Sequence, residues 1–99
     1  MKKRAVVSYV GYAIKSRNIL FGVDNIVGKK VCGVVLYDRA LGKSSLDKLK
    51  TFLAKKGVKG FCVDVEDYYP GKNCKAIGIT DKNLASAIIK EMEESDINE

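Results

Sequence analysis

Apolar positions recur at helical spacing through residues 4–16, where Val6, Val7, Val10, Ala13 and Ile14 fall on one side of a helix. Lys15 and Arg17 close that segment with positive charge, which suits the carbonyl end of a helix. Ile19 to Phe21 reads as a short strand, Gly22 as a turn, and Val23 to about Gly28 as a short helix. The run Val31 to Tyr37 is unbroken and rich in β-branched residues, the pattern of a strand buried on both faces. A helix over 44–56 follows, with Ser44 and Asp47 as a capping box and Leu46, Leu49, Phe52 and Leu53 as its apolar stripe. Gly57 is placed to end it. Gly60 to Val63 is the next strand, and Tyr68 to Asn73 is a loop with Pro70-Gly71 as its turn signal. Ala76 to Ile79 is a last strand. Thr80 or Asp81 then caps a final helix whose apolar face is Leu84, Ala85, Ile88, Ile89 and Met92.

Strands separated by helices predict parallel pairs with right-handed crossovers and helices on both faces of the sheet. The 99 residues suffice for one domain over 1–90, followed by an acidic tail over 91–99.

Charge divides the chain at that same boundary. All 18 Lys and Arg residues lie in 1–90, whereas Glu91, Glu93, Glu94, Asp96 and Glu99 stand in a stretch with no base. The overall +6 is therefore a body of +11 and a tail of −5. A strongly basic body favours an anionic partner, of which nucleic acid is the commonest for a small protein, although it equally serves solubility.

Several classes of chemistry fall away. The chain has no histidine, which removes Ser-His and Cys-His nucleophile pairs and the commonest general base. Cys32, Cys62 and Cys74 are odd in number and widely spaced, so neither a disulfide framework nor a zinc site is expected, and a reducing cytoplasm fits. Cys32 and Cys62 read as core residues of neighbouring strands, and Cys74 as a loop thiol. No run of about 18 apolar residues predicts a membrane span, and the N-terminus is too weakly apolar for a signal peptide. No cofactor, metal site or catalytic residue is expected.

The densest chemistry lies around Gly22. Asp24 and Asn25 follow it at a helix start, where free N–H groups suit phosphate or a polar base edge. They read either as helix caps or as ligand contacts. Lys15 and Arg17 read as phosphate contacts or as helix-end charges. Tyr68 and Tyr69 read as a stacking platform, or as one buried anchor beside one exposed ring. Lys48, Lys50, Lys55 and Lys56 read as a solvated helix face.

Three blocks carry a resemblance: Val10 to Ile26; Val31 to Asp38 with the 44–56 helix; and Ala76 to Ala85, with its strand and Thr80-Asp81 cap. In this order they resemble the ribosomal protein L-seven-Ae / L-thirty-e family of kink-turn RNA binders, most of all its short bacterial members. The resemblance implies a three-layer α/β/α sandwich with a mixed, mostly parallel four-stranded sheet. It also implies an RNA-contacting motif of glycine, asparagine, glutamate and lysine. Here Gly22 stands for the glycine, Asp24 for the asparagine, Asn25 for the glutamate and Gly28 for the lysine, with Lys29 or Lys30 able to supply the charge. The family's second contact is the loop before the last strand, which implies Asn73 and Lys75. The expected function is a non-enzymatic, cytoplasmic and monomeric binder of structured RNA, ribosomal or regulatory. The alternative is a protein–protein interaction module that keeps the fold without kink-turn specificity.

Overall fold

The computed structural model describes residues 2–28, 33–71 and 74–97. The elements are α1 (Lys2–Lys15), β1 (Ile19–Phe21), α2 (Val23–Gly28), β2 (Val34–Asp38), α3 (Lys43–Lys56), β3 (Lys59–Val63), a 3-10 turn (Val65–Asp67), β4 (Ala76–Ile79) and α4 (Lys82–Ile97).

The four strands form one sheet in the order β1-β4-β2-β3. Only β2 and β3 are parallel neighbours, while β4 runs antiparallel to both β1 and β2. The sheet is mixed and mostly antiparallel, which corrects the mostly parallel arrangement expected from sequence. The reason lies in the connections. The β1-α2-β2 and β2-α3-β3 crossovers do set their strands in one direction, but β1 and β2 stand one strand apart. β3 leads to β4 through a 3-10 turn and a loop instead of an α-helix, so β4 is free to enter antiparallel and fill that gap.

Alternate residues of β2 serve two cores. Val34 and Leu36 join Val6, Val10 and Ala13 of α1 and Ala85 and Ile88 of α4. Val35 joins Val23 and Ile26 of α2, Leu49 and Phe52 of α3, and Ala76. β4 is buried along its whole length. Burial of each such aliphatic side chain contributes about 1.5–3 kcal/mol, which makes β2 and β4 the centre of stability. Gly33 is required by close approach, since a Cβ there would collide with the Ala85 side chain where α4 crosses the strand entry.

Helix ends depart from expectation in instructive ways. The apolar stripe of α1 is narrower than predicted: Val6, Val10 and Ala13 are fully buried, but Val7 and Ile14 are exposed. α3 is preceded by Gly42 and has no side-chain cap, because Ser44 already lies inside the helix. Asp81 does cap α4, its Oδ1 accepting the N–H groups of Asn83 (2.8 Å) and Leu84 (3.0 Å). α4 continues through residues 91–97, so most of the acidic segment is carried on the helix, and Glu93 pairs with Lys59 at 2.8 Å.

Cys62 is exposed on β3 and is not a core residue, because β3 forms an edge of the sheet. Cys74 is half-buried against the first core, and its thiol donates to the Ala76 carbonyl. Cys32 lies outside the described residues.

Asp38 ties the end of β2 to the segment after β3. Its Oδ1 accepts the Ala40 N–H (2.8 Å) and its Oδ2 the Val65 N–H (3.1 Å). The Ala40 N–H is the main cause of a pKa below the ordinary carboxylate value. Partial desolvation opposes it, and the Val65 N–H, Lys75 and Arg39 reinforce it. A depressed folded pKa contributes stability that is present above the unfolded pKa and lost as pH falls through the folded one. Asp38→Ala is therefore expected to lower the urea midpoint at neutral pH and to converge with wild type well below pH ~4. A constant gap across that range would remove the carboxylate from the acid response.

Candidate nucleic-acid interface

The turn between β1 and α2 is built around Gly22, whose φ of +88° suits a residue without a Cβ. Its N–H donates to the Ala76 carbonyl (2.9 Å), and its carbonyl accepts the Ile26 N–H (3.1 Å) to start α2. Nothing lies within 4 Å of where a Cβ would stand, so the backbone is open to close approach. Val23 and Ile26 anchor α2 on the sheet, which turns Asp24 and Asn25 outward into solvent.

Neither of these side chains caps the helix. The Asn25 Nδ2 donates backwards to the Phe21 carbonyl at 2.7 Å. That bond orients the amide and leaves Oδ1 as an outward acceptor. The Asp24 Oδ1 accepts from Lys48 Nζ at 3.0 Å. The turn therefore presents two acceptors on a short, anchored helix.

The expected site residues fall at two ends of β1. Gly22, Asp24, Asn25 and Lys75 share one end: Lys75 precedes Ala76, and its carbonyl accepts the Asp38 N–H at 2.8 Å. Lys15 and Arg17 stand at the other end, where the Asn18 carbonyl accepts the Thr80 N–H. The four residues of β4 separate the two ends by about 13 Å. Arg17 is itself unusual, with φ +61°. It occupies the left-handed position at the end of α1, where the Asn18 N–H reaches the Ala13 carbonyl and the Arg17 N–H that of Ile14. Lys29, Lys30 and Asn73 lie outside the described residues. At Gly28 the structure is open, with nothing within 4 Å of an added Cβ.

The same end of the sheet carries aromatic rings on the α1 and α4 side and acids beyond β2 and β3. Tyr69 stacks on Phe21, with ring centroids 4.8 Å apart and an interplanar angle of 17°. Tyr68 is buried in the first core. The pair is thus one buried anchor and one ring held by a neighbour. The acids here have structural partners: Asp64 accepts from Arg39 Nε (3.2 Å), and Glu66 from the Gly71 N–H (3.0 Å). This end alone is not a basic surface.

Positive charge instead lines the adjoining groove between α2 and α3, of about 450 Å³, which is rimmed by Lys48, Lys55 and Lys56 over Val27 and Phe52. By sequence pattern alone these lysines read as a plain solvated face. The seven-residue spacing of Lys48 and Lys55 does align them on one side of the helix, but nothing in it shows that α2 lies alongside. Among the described residues no cluster of three or more His, Cys, Asp or Glu could hold a metal ion, and no helix is long and apolar enough to cross a membrane.

No family model and no curated protein matches the chain. Its fold is similar to the solved structure of a protein with unknown function from Bacillus halodurans C. The TM-score is 0.79 at 18% sequence identity, over 89% of this chain and 96% of the other. At that identity the likeness establishes a shared small α/β fold with a mixed four-stranded sheet.

Proposed function

We propose that this chain is a small, non-enzymatic, cytoplasmic RNA-binding protein. In this reading its three-layer α/β/α sandwich presents the Gly22–Asn25 turn to a kink-turn or similarly folded RNA. The observation that carries the reading is the turn itself: a backbone open at Gly22, with Asp24 and the oriented Asn25 Oδ1 as outward acceptors. RNA bases splayed from regular pairing offer donor edges to such groups, and a bare glycine lets the sugar–phosphate chain approach. Lys75 supplies charge at the same end, and Lys15 and Arg17 would meet only RNA that extends along β1.

The test is a titration of a kink-turn RNA beside a copy whose G·A pairs are replaced by Watson–Crick pairs, at physiological salt. Preference for the kinked RNA by roughly 5-fold or more is expected from about 1–3 kcal/mol of base-edge contact. Equal affinities would overturn specific recognition. They would favour the second reading, a protein–protein interaction module that keeps the fold without kink-turn specificity.

A further inference from the structure

We infer that the α2–α3 groove is a phosphate track for the RNA strand that leaves the Gly22–Asn25 turn, an inference that rests on the RNA-binding reading above. Lys48 and Lys55 stand seven residues apart on one side of α3 and are separated by about 10.5 Å along the helix axis. Thr51 lies between them, and Lys56 flanks the row. Phe52 and Val27 form an apolar floor on which the lysine stems can lie while the ammonium groups stay in water. Asp47 also lines the groove, so the cations outnumber the acid three to one.

The groove is continuous with the turn through Lys48. Its Nζ touches Asp24 Oδ1 at 3.0 Å, and both side chains are exposed, at 53% and 89%. An exposed pair of this kind is weak and screened, so a phosphate can take the ammonium from Asp24. A row of lysine point charges fits a polyanionic strand, because ammonium groups take phosphate without demanding one fixed geometry. The turn would select the RNA and the groove would hold its backbone, as base and phosphate contacts commonly divide.

The test compares full-length wild type with Lys55→Gln/Lys56→Gln, and with Lys82→Gln/Lys90→Gln on α4, which lies on the opposite face of the sheet. Affinity is measured for the kink-turn RNA and its Watson–Crick copy between 50 and 200 mM salt. Loss of two phosphate contacts should reduce the magnitude of the log–log salt slope by about 1.4–1.8 in the groove variant. Both RNAs should weaken alike, the preference between them should persist, and the α4 variant should keep the wild-type slope. An unchanged slope in the groove variant, or an equal loss in the α4 variant, would overturn the track. Preference without a slope change would spare the turn and remove the groove. A slope change without preference would spare the groove and remove the turn. Glutamine keeps helix propensity close to that of lysine, so the variants should fold, and circular dichroism checks it.

Discussion

Asp24→Ala combined with Asn25→Ala is expected to remove most of the preference for kinked over Watson–Crick RNA, roughly 1–3 kcal/mol or about 5- to 150-fold. Both side chains point into solvent as acceptors, and the Asn25 amide is held in place by the Phe21 carbonyl. The variant also loses the negative charge that engages Lys48. Affinity for the Watson–Crick copy should therefore hold or rise slightly while affinity for the kinked RNA falls. The opposite signs separate base reading from a general loss of binding. Removing the Asn25–Phe21 bond costs stability of about 0.5–1.5 kcal/mol, so a thermal melt must accompany the titration. A folded double variant with its preference intact would reduce the two residues to surface groups.

Leu36→Ala should have the largest effect on stability. Leu36 is fully buried on the central strand β2, opposite Phe61 of β3 and Ile77 of β4, within the core shared by α1 and α4. The cavity is expected to cost about 2–5 kcal/mol, a large part of the ~5–15 kcal/mol typical of a whole domain. For a chain of this size that is a fall in melting temperature of roughly 10–40 °C. Cys62→Ala, an exposed position on the neighbouring strand, should stay within about 0.5 kcal/mol. A loss below about 1 kcal/mol at Leu36 would show that the centre of the sheet does not carry the fold.

Local pattern made much of this fold legible. The bounds of α2 and β4 match the sequence expectation, because glycine and polar residues punctuate both elements. The burial of Val34 to Leu36 followed from an apolar run with no polar break. The capping box at Ser44 failed because a serine three residues before an acid fits the motif wherever the helix happens to start. The exposure of Cys62 was illegible because an edge strand and a central strand can share one local pattern.

The element order, the central apolar strand, the Gly22 turn and the basic body with its acidic end are legible along the chain. These rest on side-chain periodicity, backbone freedom at glycine and charge count, which are properties of neighbours along the chain. Packing alone sets β4 antiparallel between β1 and β2, because strand pairing joins segments far apart in the chain whose local patterns do not specify their neighbours. The same packing put Lys15 and Arg17 a strand's length from Gly22, and laid α3 beside α2 so that Lys48 meets Asp24. Pairing of residues 24 apart is set by how helices share a sheet face, and no local pattern encodes it.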